Sequence, residues 1–304
     1  MIPSDVRTVA DAILYEGYLL YPYRPTSLKN TQRWTFGGLC PRDCQTAAGG
    51  GQWFQQTECL VLGDEATRLE VIVRFLQMVA DESTPAASSG RVAATCCQAV
   101  ERTVQLADAR LTKLTASPRR QSFGFPPRGP QATDEEMPMA TSVSPPPDVG
   151  LAYIEGVVEL TAYPESHGAF RLRVRVKNLT PVPPLVASPS LGVFPQTMAA
   201  THAILCVRGG AFVSLLDPEE PHGPAARRCR NIGAWPVLAG RPGGRDVLLS
   251  APIILYDYPQ VAAASPGDFF DCSEIDELLT GEHSDRMHLH RVQAHAHFFV
   301  PRIV

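Results

Sequence analysis

Nowhere does this chain carry an apolar run approaching the ~20 consecutive residues that a membrane-spanning helix needs, so no membrane span is expected. Residues 1–7 hold no basic stretch leading into an apolar one, so no secretory leader is expected and the default location is cytoplasmic. Charge of one sign is missing too. Lys and Arg number 27 against 31 Asp and Glu, a formal net charge of −4, which is too even to point to nucleic acid or a membrane surface. There is no G-x-S-x-G, no P-loop and no G-x-G-x-x-G after an expected strand. The run Gly49-Gly50-Gly51 lacks the Lys-Ser/Thr pair of a phosphate loop. No internal repeat of fixed period is present. Cysteine is present without a framework: Cys40, Cys44, Cys59, Cys96, Cys97, Cys206, Cys229 and Cys272 scatter along the chain, which argues against a disulfide scaffold. Cys59 and Cys206 lie in apolar runs, where cysteine serves as a small hydrophobe.

What is abundant is proline (28) and glycine (23), against 44% hydrophobic and 19% charged residues. That balance fits a folded chain with many turns and excludes a helix bundle, whose interior cannot carry so much proline. The expected fold is mainly β and β-sandwich-like, with short helical additions and a Pro-rich linker. Four regions follow: an N-terminal β-rich block at 1–115, a linker at 116–149, a second β block at 150–280 and a His-rich tail at 281–304. In the first block a helix after Ser4 leads into residues 9–23, and strands are expected at 32–39 and 57–62, the latter ended by Gly63-Asp64. Residues 68–79 fit both periods, and their β-branched and aromatic content favours strand.

The second block has the clearest pattern. Residues 154–163 and 170–178 alternate around Ser166-His167-Gly168, a three-residue hairpin loop with glycine in the left-handed position. This register sets Glu159 opposite Arg175, Leu160 opposite Val174 and Val158 opposite Val176. A second hairpin is expected over 203–216, turning at Gly209-Gly210 and pairing Val207 with Phe212 and Cys206 with Val213. Residues 247–256 read as a strand interrupted at Pro252, and 271–279 as a short helix with Ser273 at its N-cap.

The sharpest chemical feature is the tail, where His288, His290, His295 and His297 form two His-x-His pairs. On a strand both imidazoles of such a pair share a face, and neutral imidazole suits nickel or zinc. His283, Glu282 and Asp285 stand nearby, while the plain alternative is a solvated tail that binds nothing. Cys40 and Cys44 form a C-x₃-C pair without a second pair at ligand spacing, and Cys96-Cys97 is vicinal. Both read as structural or incidental. Arg171, Arg173, Arg175 and Lys177 stripe one strand face. Pairing with Glu155 and Glu159 across the hairpin explains them more simply than nucleic acid, because no aromatic residue interleaves on the same face. Asp268, Asp271, Glu274, Asp276 and Glu277 read as a solvated helix start, and Asn178-Leu179-Thr180 as a sequon that a cytoplasmic chain would not use.

Several segments are similar to a known family: residues 14–24, Arg33-Trp34-Thr35-Phe36, residues 171–181 ending in Asn-Leu-Thr-Pro, Cys229-Arg-Asn-Ile-Gly-Ala-Trp-Pro236, residues 250–259 and 265–268. Together they resemble an uncharacterised bacterial family encoded beside actinobacterial-type uptake nickel–iron hydrogenase genes. The resemblance covers most of 9–280 outside the linker and includes no catalytic motif. Beyond Leu279 the sequence departs from the family's pattern, with the His-rich stretch where a longer charged helix is expected. The resemblance implies a non-enzymatic accessory protein for hydrogenase maturation or assembly, with hydrogenase subunits or maturation proteins as partners. The alternatives are a metal-dependent, hydrolase-like enzyme, which requires at least three convergent ligands, and a β-sandwich interaction module with an unrelated partner.

Overall fold

The computed structural model describes residues 2–19, 37–43, 52–78, 99–127, 151–182 and 196–261. The chain is mainly β. Helix α1 (Ser4–Leu19) precedes β1 (Phe54–Met78), β2 (Ala99–Arg110), the single turn α2 (Lys113–Ala116), β3 (Arg119–Phe125), β4 (Ile154–Pro164), β5 (Ala169–Asn178) and β6 (Met198–Val213). A 3₁₀ turn (Glu220–His222) and one turn of helix, α3 (Gly223–Ala226), lead to β7 (Trp235–Leu238) and β8 (Val247–Ala251). No helix among the described residues is long and apolar enough to cross a membrane. The described strands form one eight-stranded sheet in the order β3-β4-β5-β1-β6-β8-β7, with β2 added to β1. Strands from both expected blocks therefore share a single hydrogen-bonded sheet.

The whole sheet hangs on β1. Its first half pairs with β5 and with the end of β6, and its second half pairs with β2 and the start of β6, all antiparallel. The two halves are offset by a bulge. Gly63 pairs with Gly210 and Arg68 with Arg208, so residues 64–67 of β1 face Gly209 alone. Side chains hold the bulge closed. The Asp64 carboxylate accepts from Ala66 N–H (2.8 Å), and the Thr67 hydroxyl donates to the Gly209 carbonyl (2.6 Å). Here the expected hairpin at Gly209-Gly210 is corrected. β6 runs straight through the glycines, Val207 pairs with Leu69 and Phe212 with Val61. Gly209 has φ +68°, and a Cβ on Gly210 would lie 2.5 Å from the Leu62 carbonyl oxygen. The glycines serve a close approach of two strands, not a reversal. In the same way Gly63-Asp64 does not end the strand at 57–62 but bulges it, and the strand expected at 68–79 is its continuation.

The hairpin β4–β5 has the expected register, with Glu159 opposite Arg175, Leu160 opposite Val174 and Val158 opposite Val176. Both His167 (φ +58°) and Gly168 (φ +70°) take the left-handed conformation at its tip. Residues 119–125, placed in the linker by composition, form β3 and pair along β4 from Arg119–Leu160 to Phe125–Ile154. Strand β8 stops at Ala251, before Pro252, as the missing N–H requires.

One face of the sheet builds the main core from Cys59, Val61, Val71, Phe75, Leu160, Leu172 and Phe212. Phe75, on the second half of β1, meets Phe123 and Phe125 of β3 with ring centroids 6.0 and 5.9 Å apart. β4 and β5 lie between those strands in the sheet order, so the sheet curls over its own core. The opposite face of the second half carries Ile72, Ile204 and Leu249, which α1 covers with Val6, Val9, Ala10 and Ile13 at helical spacing. Replacing Gly210 by Ala is expected to cost about 1–3 kcal/mol in urea unfolding through overpacking. Gly168→Ala meets nothing within 4 Å and is expected to cost about 1–2 kcal/mol from its left-handed backbone alone. A Gly210→Ala chain as stable as the parent would contradict the close-approach account.

Candidate functional site

A buried polar constellation lies on the other face of β1's first half. Alternation along β1 turns Cys59 and Val61 into the core, which sends Gln56, Glu58 and Leu60 to the opposite side. On β5 the same alternation buries Leu172, Val174 and Val176 and leaves Arg171, Arg173, Arg175 and Lys177 on that face. Glu58 is fully buried. One of its carboxylate oxygens accepts from Arg173 Nε (2.6 Å), the other from Arg171 Nη1 (3.1 Å) and the Arg230 backbone N–H (2.9 Å). Burial pushes the Glu58 carboxyl up, but the Arg230 N–H and the Arg173 and Arg171 guanidiniums outweigh it and hold the group below the ordinary carboxylate range.

The segment 229–236 acts as a strap along the edge of β1's first half, bridging to Gln56 and reaching Glu58 on this face. Asn231 Oδ1 accepts from Glu58 N–H (2.7 Å), Gln56 and Ile232 exchange both backbone hydrogen bonds, and Gln56 Nε2 donates to the Arg230 carbonyl (2.9 Å). Glu165 joins Arg171 (3.1 Å) to Arg228. Tyr163 lies under Arg171 and Arg173, 5.1 and 4.8 Å from ring centroid to guanidinium, and its hydroxyl accepts from Arg173 Nη1 (2.8 Å). Cys229 at the start of the strap is pushed up to about 12 by its burial and by Glu58, so it stands as a neutral thiol and not as a nucleophile.

The arginine stripe is therefore internally paired, as the simpler reading held, with a different partner at its centre. Glu58 on the neighbouring strand takes Arg171 and Arg173, Gln56 takes Arg175 (2.7 Å), and only Lys177 finds Glu159 (2.6 Å). Glu155 instead accepts from the Tyr153 hydroxyl (2.5 Å). An aromatic residue does share the face: Tyr163 comes from β4, which reading β5 alone could not reveal. The signal for Glu58 was available, since a carboxylate directly before the apolar run Cys59-Leu60-Val61-Leu62, on the same strand, has to find cations when buried.

The remaining candidates are placed as follows. His288, His290, His295 and His297 lie outside the described residues, as do Cys44, Cys96, Cys97, the acidic cluster at 268–277 and the expected helix at 271–279. Of the expected strand at 32–39 only its end is described, where Leu39 bridges to Met198. Cys40 is described: its backbone N–H donates to the Gln52 carbonyl (2.8 Å), and burial raises its thiol. Asn178 of the sequon is fully buried, with Nδ2 donating to the Leu39 and Gln196 carbonyls and Oδ1 accepting from Thr180, so it ties β5 to its neighbours. A second buried polar group is His202 on β6, whose Nδ1–H donates to the Ala200 carbonyl (2.9 Å) while Nε2 has no partner among the described residues. Beside it Arg74 is held by Asp11 and Glu101 (both 2.6 Å). Burial lowers His202 to about 4.

The fold and this constellation define a class: a curled, single-sheet antiparallel β protein stapled by a buried carboxylate–arginine hub. No family model matches the chain, and no curated protein matches it.

Two outcomes are expected. Glu58→Ala leaves two half-buried guanidiniums without their anion and should cost about 3–5 kcal/mol in urea unfolding. A loss below about 1 kcal/mol would reduce the hub to an ordinary surface pair. For His202 the folded value lies below the unfolded one, so the unfolded chain binds the proton first. Stability should fall as pH drops from about 6.5 to about 4, by roughly 3 kcal/mol in all, and level off below. His202→Leu should flatten that window, read as the unfolding midpoint against pH.

Proposed function

We propose that this is a non-enzymatic accessory protein that acts in the cytoplasm by contact with other proteins, with a nickel–iron hydrogenase or its maturation proteins as the client. The observation that supports this reading is where two of the segments bearing the family resemblance leave their apolar side chains. Residues 229–236 and 250–259 run through β7 and the exit of β8. They expose Trp235 and Ile254 at 39% each and Tyr256 at 50%. Large apolar groups left at a surface favour a protein partner, and Trp and Tyr dominate such contacts. The contact falls to side chains and not to strand addition. Pro236 has no N–H, and the groups of Leu238 are taken by the Asp257 carboxylate (2.8 Å) and Tyr258 N–H (2.6 Å).

Among the described residues, the buried Glu58 hub is engaged in holding the fold. Each oxygen of Glu58 already accepts a hydrogen bond from the protein. Among the described residues no three His, Cys, Asp or Glu side chains stand close enough to share a metal. The ligands named for the metal-dependent enzyme, His288, His290, His295 and His297, lie outside the described residues.

The test is affinity recovery from native cells of the chain tagged at its N-terminus, with mass spectrometry and metal analysis of the eluate. Hydrogenase subunits are expected in the eluate, and Trp235→Ser with Tyr256→Ser should lower their recovery at least about tenfold while the circular dichroism stays unchanged. The chain recovered alone with stoichiometric metal would replace this reading with the metalloenzyme.

A further inference from the structure

The turn that carries the chain from β2 to β3 borders an open surface concavity of about 440 Å³, wide enough for a small anion. Arg110 closes β2, Lys113 begins α2 and Arg119 opens β3. All three line the concavity together with Ser117, and Leu114, buried, lies beneath. None of the three cationic groups has an ion pair or side-chain hydrogen bond with another described residue. Asp108 is the one carboxylate in the lining, and Arg68 Nε already answers it at 3.5 Å. Arg68 in turn stands directly opposite Arg110 in the β1–β2 register. Like charges directly opposite on a ladder destabilise the pairing. Four cations thus gather around one carboxylate in a chain of formal net charge −4. Elsewhere the fold does the reverse: Arg74, Arg171, Arg173 and Arg245 each meet a carboxylate.

We propose that this concavity binds a phosphate-bearing small molecule. The Arg110 and Arg119 guanidiniums take its phosphate oxygens, Lys113 adds a point charge and the Ser117 hydroxyl completes the set. Guanidinium forks match the oxygen spacing of a phosphate group, and a polyanion offsets the three cations clustered in the lining. The site is separate from the apolar surface around Trp235 and does not depend on the identity of any protein client.

The probe is inorganic pyrophosphate, titrated calorimetrically into the full chain at low and at physiological salt. Saturable one-site binding is expected, weakening as salt screens the exposed charges. Arg110→Ala with Arg119→Ala should weaken it at least about tenfold, or about 1.4 kcal/mol. Arg110→Lys with Arg119→Lys should fall between that variant and the parent. Arg241→Ala, an exposed cation in the turn after β7, should change nothing. Malonate, a carboxylate dianion, should bind at least about tenfold more weakly than pyrophosphate. Absence of saturable binding at low salt, an equal loss in Arg241→Ala, or malonate as tight as pyrophosphate would each overturn the proposal.

Discussion

One strand has to serve three neighbours. β1 reaches β5, β2 and β6 because its 25 residues continue past a bulge instead of ending in a turn. The bulge increases local twist and offsets the two halves, which lets the sheet curl until β3 meets β1 from across the core. Everything else depends on that pairing. β4–β5 is carried by the first half, α1 lies on the second half, and the strap at 229–236 is tied to the edge of the first half. A close approach of Gly210 to Leu62 keeps β6 in register with both halves.

The polar hub follows from the same alternation. A strand that puts Cys59 and Val61 into the core must put Glu58 on the other face, and β5 arrives there with arginines at every second position. The carboxylate is tolerated fully buried because two guanidiniums and a backbone N–H meet it, which is the condition for burying a charge. Such a group is occupied by its structural task. Among the described residues, the surface carries an apolar exposure at Trp235 and a cationic concavity between β2 and β3.

Local pattern read well wherever strand partners were close in sequence. The β4–β5 register was legible because a three-residue turn leaves one pairing that keeps Leu160 and Val174 on the buried face. Gly209-Gly210 misled because paired glycines mark both tight turns and close strand contacts. Only a partner 140 residues away, Gly63 with Thr67, distinguishes the two. β3 was hidden inside a Pro-rich stretch, since Arg119–Phe125 carries just two large apolar residues and gains its strand character from β4. Glu58 was passed over for a similar reason, its cations lying on a strand more than 100 residues on.

Composition, alternation and turn chemistry by themselves determined that this chain is mainly β, that proline excludes a bundle, and that the arginine stripe opposes an apolar face, because each of these depends on neighbours along the chain. Tertiary structure alone decided that the strands form one sheet, that β6 does not turn back, and that Glu58, Tyr163 and the strap converge on the stripe. The physical reason is that long-range pairing is selected by the burial and hydrogen bonding of whole strands together, and no local window of sequence carries that sum.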